Sequence, residues 1–326
     1  MYSSNRPTAF TAQLEVLQTL GLQTETLIER HSASRNDWQP GELIDFGDSA
    51  GLDEMRQLRE RAAALGTAVR VAVALNMLTE EGLPNFHRII AAHVGEIPAW
   101  DRWMRLWTAE EDRHGNVLRD YARDAALYDM ARLDTMQFEY LRAGFDPEWA
   151  GSPYRLVAYT SLQERATQIA HANTARACAG AEPQLQRILA HLASDELRHC
   201  AFYRDNFALL LEVDPDNALL ELATVAPALG MPGQTIPGYL MMAEIEREAG
   251  IFGPREYATL VDESLQYWDI EHLEPHGGTA REARDTLLEL PARLHRLADL
   301  LDTRKRRKTY EFDFLRAPLA ALESTC

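Results

Sequence analysis

Cysteine is scarce in this chain: three residues in 326, Cys178, Cys200 and Cys326, an odd number without CxxC spacing. That excludes a disulfide framework and a thiolate metal site, and it suits a reducing compartment with Cys178 and Cys200 as ordinary helix residues. Long apolar runs are also missing. None approaches the roughly 18 residues of a membrane-spanning helix, and the opening MYSSNRPTAFTAQ lacks the basic-then-apolar layout of a signal peptide. A cytoplasmic protein without a membrane span is the expectation. Positive charge is in deficit, with 33 Lys and Arg against 50 Asp and Glu and a net charge of −17. Nucleic acid, whose phosphates demand a basic face, is excluded as a partner. The local exception is the run Arg304, Lys305, Arg306, Arg307 and Lys308. It reads either as a solvated helix end or as a docking point for an acidic partner.

What the chain has in abundance is helical pattern. Hydrophobic residues make up 46% and charged residues 25%, ordinary for a globular protein, and strands with clean alternation are absent. The fold class expected is all-α, in a single domain over 1–326. A long helical segment runs from about 54 toward 93, kinked or ended early by Pro84. Helices follow at about 98–125 and 126–143, then a Pro- and Gly-rich loop at 145–154. Two more long helices are expected at about 155–178 and 183–212. Shorter ones come at about 216–229, 236–249, 254–269 and 279–303. The core bundle therefore covers about 54–212, with flanking C-terminal helices to 303 and a basic tail at 304–326.

One signal repeats. Glu111 and His114 stand three positions apart within WTAEEDRHG, and Glu196 and His199 repeat the spacing within HLASDELRHCAF, each with Arg directly before the His. Three positions are almost one helical turn, so each pair leaves one face of its helix. A single such pair is usually a solvated helix face. Here each is preceded, at nearly the same distance, by a glutamate on an earlier helix: Glu80 before Glu111, and Glu164 before Glu196. The chain thus writes Glu, then Glu-x-x-His, twice over, as two helix hairpins related by approximate two-fold symmetry. One Glu from each of two helices and Glu-x-x-His from the other two is the donor set of ferritin-like four-helix bundles.

Charge explains why such a core needs metal. Four carboxylates pointing into a bundle repel, and burying unpaired ions costs many kcal/mol. Two divalent cations match the four negative charges, and two neutral imidazoles complete the ligand shell. Oxygen-rich ligation with two nitrogens and no thiolate suits iron or manganese rather than zinc. The segments VRVAVALNML before Glu80 and LVAYTSL before Glu164 make the surroundings apolar. His171 and His191 lie near these helices but do not fit the repeat. His31, His87, His93, His272, His276 and His295 read as surface or satisfied core residues.

At these residues the sequence resembles the soluble acyl-acyl-carrier-protein desaturases, the ferritin-like di-iron family that includes plant stearoyl-ACP desaturases and actinobacterial relatives. The stretches that carry the likeness are LTEEGLPNF (78–86), RLWTAEEDRHG (105–115), SPYRLVAYTSLQERATQIAHANTAR (152–176) and SDELRHCAFYRD (194–205), with WQP at 38–40. The likeness spans nearly the whole chain and weakens after about residue 230. It implies that Glu80, Glu111, His114, Glu164, Glu196 and His199 hold two iron ions. It implies that Asp195 bonds a ligand histidine of the other pair, and by symmetry Glu110 does the same. Trp38 matches a tryptophan on the electron route, with a plain packing role as the alternative. Thr167, one turn beyond Glu164, becomes a residue that handles oxygen or protons, or else a helix threonine bonding its own backbone.

The resemblance also implies the reaction: electrons from a ferredoxin-type donor and O2 at the iron pair remove two hydrogens from an acyl chain held on acyl carrier protein, leaving a cis double bond. Such relatives are homodimers. Leu156 stands where plant relatives carry glycine, and Trp149 where they carry a smaller residue. If both line the tunnel, a shorter, bent or modified acyl chain is expected. The carrier is acidic, so residues 304–308 are the expected docking point, with Arg56, Arg59 and Arg61 as the alternative. Two other readings stay open: a hydroxylase or oxygenase of a carrier-bound substrate using the same six residues, and a non-enzymatic ferritin-like iron protein.

Overall fold

A computed structural model describes residues 8–44, 51–145, 151–303 and 310–315. The helices in chain order are α1 (Thr8–Thr19), α2 (Gly21–Ser34), α3 (Pro40–Leu43), α4 (Gly51–Ala63), α5 (Thr67–Glu80), α6 (Leu83–Val94) and α7 (Pro98–Asp124). There follow α8 (Met130–Ala143), α9 (Pro153–Ala177), α10 (Pro183–Val213), α11 (Pro215–Val225), α12 (Tyr239–Glu248), α13 (Pro254–Tyr267) and α14 (Gly278–Thr303). The described residues contain no strand, and no single described helix is long and apolar enough to cross a membrane. The all-α expectation holds, as a ferritin-like helical fold.

Four helices, α5, α7, α9 and α10, form the central bundle. Three of them open on proline, Pro98, Pro153 and Pro183, at a first-turn position whose missing N–H has no intrahelical partner anyway. Ser152 caps α9 by accepting from the Arg155 N–H at 3.1 Å, and the buried Glu182 side chain caps α10 through the Leu185 N–H. Helix α5 is mostly apolar, with Val69 through Leu78 all buried and only Arg70 and Asn76 polar among them, as befits a helix enclosed by neighbours.

The helical segment expected over 54–93, kinked or ended early by Pro84, is three helices. The chain breaks at 64–66, where Gly66 precedes α5 and the α4–α5 axes bend by 111°. It breaks again at Glu81 and Gly82, because a proline at 84 cannot accommodate the carbonyl four residues earlier, that of Glu80. The helix therefore ends on the very glutamate that points inward. Gly82 is required at that corner: a Cβ there would sit 2.8 Å from the Thr79 carbonyl and 2.4 Å from Tyr140 Oη.

Three helices, α1, α2 and the short α3, came without a sequence expectation. Helices α1 and α2 bury Phe10, Leu17, Leu20 and Ile28, and α2 lies against both α7 and α10. The C-terminal helices α11, α13 and α14 pack on the α9 side, while α12 packs on α5. Residues 310–315 return to the α7–α8 corner, where the Asp129 N–H donates to the Phe314 carbonyl at 2.9 Å.

Candidate metal centre

The bundle brings all six repeated residues to one place, each 8% exposed or less. They form two clusters in which one donor atom per residue lies within 4.8 Å of every other: Glu80, Glu111, His114 and Glu196, and Glu111, Glu164, Glu196 and His199. Glu111 and Glu196 belong to both. The shared residues are the glutamates of the two Glu-x-x-His pairs, while Glu80 and Glu164 each serve one cluster. His114 Nδ1 faces Glu196 Oε1 at 3.1 Å and Glu111 Oε2 at 3.3 Å. His199 Nδ1 faces Glu111 Oε1 at 2.8 Å and Glu196 Oε2 at 3.6 Å.

The inward-facing atoms are chemically unsatisfied. His114 Nδ1, His199 Nδ1, Glu111 Oε1 and both Glu196 oxygens make no hydrogen bond of ordinary geometry, although all are buried. Native interiors leave few such atoms. Protonation carries the strain instead. Burial works against charge on His114 and His199, yet the Glu111 carboxylate beside each raises both imidazoles well above their usual range. Burial would raise Glu196, yet the two imidazoles beside it hold it well below the usual carboxylate range. Glu164 is pushed well up by burial and by Glu196 and Glu111, and Glu80 rises to about 7, burial outweighing its bond from His171. Protons thus supply the positive charge at the centre. Two divalent cations would replace them and let all four carboxylates ionise, so the donor set and its orphaned atoms fit a pair of metal ions.

Around the six runs a second set of hydrogen bonds. Asp195 Oδ2 lies 3.3 Å from His114 Nε2 and accepts from Trp38 Nε1 at 2.9 Å, and its Oδ1 takes Arg198. Arg113 donates to the Trp38 carbonyl at 2.8 Å and lies 4.9 Å above its ring. The symmetry-related acid, Glu110, meets His199 Nε2 at 2.9 Å. Each histidine is therefore held, through its outer nitrogen, by the acid that precedes the other pair's glutamate. This crossing fixes which nitrogen faces the centre.

Three residues of this ring were not anticipated. His31, on α2, shares Glu110 Oε2 with His199, also at 2.9 Å, and stacks on the His199 ring at 5.7 Å. His171 meets Glu80 Oε1 through Nε2 at 2.9 Å and Asn76 Nδ2 through Nδ1 at 3.3 Å. Trp107 Nε1 donates to Glu164 Oε1 at 3.2 Å. Two carried a readable signal: Trp107 lies four residues before Glu111 and His171 seven after Glu164, both on the inward helix face. His31 carried none, because its role depends on how α2 docks.

Two small cavities adjoin the centre and share Thr79, Glu80 and Thr167 as wall. The first, of ≈ 40 Å³, runs past Glu111, Glu164 and Glu196 to Leu83, Phe86 and Phe145. The second, of ≈ 50 Å³, lies between α5, α9 and α12. Thr167 borders both while donating to its own Gln163 carbonyl at 3.2 Å and accepting from Gln163 Nε2 at 2.9 Å. Leu156 lines neither cavity. It sits two turns before Glu164, fully buried in the packed core with Phe86 and Tyr159. Trp149 and residues 304–308 lie outside the described residues.

A ferritin-like bundle with two buried carboxylate–imidazole clusters sharing two glutamates defines a class: helical proteins able to hold a pair of divalent ions between four helices. Within that class, a family model described as fatty acid desaturase matches residues 12–316, and the chain belongs to that family as an oxidoreductase of the desaturase type. It is 32% identical over 314 residues to acyl-acyl-carrier-protein desaturase 6, chloroplastic, of Oryza sativa subsp. japonica, covering 88% of this chain and 74% of that protein. It is 31% identical over 305 residues to the chloroplastic stearoyl-acyl-carrier-protein 9-desaturase 5 of Arabidopsis thaliana, covering 88% and 77%. Identity to DesA1 of Mycobacterium tuberculosis, described as a candidate acyl-acyl-carrier-protein desaturase, is 30% over 305 residues, with 90% of each chain covered. Among solved structures, DesA2 of the same organism superposes with a TM-score of 0.57 at 21% identity, over 79% of this chain and 95% of that one.

Proposed function

We propose that this protein is an O2-dependent di-iron desaturase that introduces a cis double bond into an acyl chain carried on acyl carrier protein, with electrons from a ferredoxin-type donor. The observation that supports it most is the sharing of Glu111 and Glu196 by two four-donor clusters beside a largely apolar cavity. The relatives' names add the substrate class. No amino-acid side chain can take hydrogen from an unactivated methylene, and bound iron with O2 supplies that oxidising power. The balance is simple. Two C–H bonds yield two electrons and two protons, the donor yields two more electrons, and with two further protons O2 leaves as two waters.

The chain's own residues do the rest. Glu80, Glu111, His114, Glu164, Glu196 and His199 hold the ions. Asp195 and Glu110 keep the two imidazoles in the tautomer that turns Nδ1 inward. Trp38, bonded to Asp195 and through it to His114, is the route we assign to incoming electrons. Thr167, on the wall of both cavities, is the residue we assign to passing a proton through its hydroxyl. Phe86, Leu83 and Phe145 keep water from the reacting carbons.

We assign carrier docking to residues 304–308, since a chain of net charge −17 must meet an acidic carrier with a local positive patch. Reversing Arg306 and Arg307 to Glu should raise the KM for acyl-ACP and flatten its salt dependence. An unchanged KM would move the assignment to α4, where Arg56 is 69% exposed while Arg61 already holds buried Glu182 at 3.0 Å. A homodimer is the assembly we expect, which light scattering checks.

Iron-loaded protein incubated with ferredoxin, its reductase, NADPH, O2 and a panel of acyl-ACPs tests the reading. The acyl group should lose two hydrogens. Gain of one oxygen would reassign the site to hydroxylation. Many iron atoms per chain and no change in any acyl group would reassign it to storage.

A further inference from the structure

Helix α12 carries three acids in the run EIERE, and they meet different fates. Glu244 and Glu248 face Arg247, at 2.8 and 3.6 Å. Glu246 turns inward, is 5% exposed, and its Oε1 has no hydrogen-bond partner. It borders the second cavity, opposite Leu75 and Ala166 and beside Tyr239 and Phe252. Thr79, Glu80 and Thr167 wall both this cavity and the one at the metal centre, so the two cavities adjoin. The ≈ 50 Å³ there takes one or two waters or the equivalent length of a substrate chain.

A buried carboxyl without a partner destabilises the fold, and an apolar residue on the same wall would avoid that. Among the described residues it pairs with no arginine, and it lies outside both donor clusters. Burial raises the group to about 8, so near neutral pH it is largely the protonated acid, able both to donate and to accept. The matching ligand is a neutral group that also does both.

We propose that Glu246 is a specificity residue that hydrogen-bonds a hydroxyl or secondary amide on the substrate chain where it runs through the α5–α9–α12 cavity, and so sets which carbons lie beside the metal centre. This rests on the desaturase reading and narrows its substrate. Two parts of a carrier-bound substrate offer that chemistry: a hydroxyl on the acyl chain, or an amide of the arm through which the carrier holds the thioester.

The test uses full-length iron-loaded protein, wild type, Glu246→Ala and Glu246→Gln. Acyl-ACPs of one length are supplied plain or with a hydroxyl at successive carbons. Both the Kd for acyl-ACP and kcat/KM for double-bond formation are read. Glu246→Ala should weaken both by roughly 10- to 100-fold, as for a site built to bond a substrate OH or NH, and Glu246→Gln should restore most of the loss. A loss confined to one hydroxylated chain identifies the acyl hydroxyl, and an equal loss on every chain identifies the arm. If Glu246→Ala leaves Kd and kcat/KM unchanged for every chain, the cavity holds only water and the proposal falls. If no chain gains a double bond, the desaturase reading fails instead, while the Kd pattern still reports on Glu246. The alanine variant loses only an unpaired buried acid, so its melting temperature should hold or rise.

Discussion

Replacing Asp195 with Asn keeps the shape of the side chain and removes its charge. Asp195 faces donors on every side: Trp38 Nε1 at 2.9 Å, His114 Nε2 at 3.3 Å, Arg113 Nη2 at 3.4 Å, and Arg198 on the other oxygen. Whichever way the new amide turns, its NH2 meets another donor. At least one charge-assisted bond is lost, a contribution of about 1.5–3 kcal/mol. At 1.4 kcal/mol per decade that is about a 10- to 150-fold weaker hold. Arg113 and Arg198 keep 12% and 16% exposure, so water takes over part of their bonding, and the lower end, about tenfold, is the expectation. The effect should fall on the ion beside His114. Competition between the protein and a graded chelator reads iron affinity directly, and Glu110→Gln should weaken the ion beside His199 instead. A folded Asp195→Asn protein that retains both ions as tightly as wild type would falsify the crossed-carboxylate account.

Other expectations follow from the same geometry. Trp107→Phe removes the bond to Glu164, and His171→Phe removes the bond to Glu80. Each should lower kcat and iron affinity by about tenfold with little change in KM, measured by single-turnover and chelator assays. Chelating the ions should destabilise the fold, because saturating iron at about 100 times its Kd adds about 2.7 kcal/mol. Equal melting temperatures with and without iron would contradict that. The folded chain keeps the Glu246 proton up to about 8, whereas the unfolded chain releases it near 4.5. Its ionisation therefore costs nothing below that window and progressively destabilises the protein as pH rises through it. Glu246→Leu should gain on wild type between about pH 5 and about pH 8, on the order of a few kcal/mol by urea unfolding, and a pH-independent difference would exclude it.

The centre was legible because its grammar is local. Glu-x-x-His puts two donors on one helix face wherever the helix lies, and its repetition, each copy preceded by an isolated glutamate, marked four helices. Pro84 was legible as a breaker for the same reason. What escaped depends on contacts between distant segments. His31 reads as an ordinary helix residue until α2 docks on α7 and α10 and sets its ring against Glu110. Glu246 sits in a run that looks like a solvated charged face, and only the packing of α12 on α5 turns one acid of the three inward.

The central claim is that the duplicated pairs hold one pair of ions between them. Metal-free protein titrated anaerobically with iron(II) should bind two ions per chain. Glu111→Gln and Glu196→Gln, each altering a carboxylate common to both clusters, should each weaken both ions together. Binding of a single ion, or two ions of which either variant disturbs only one, would contradict the shared-glutamate centre.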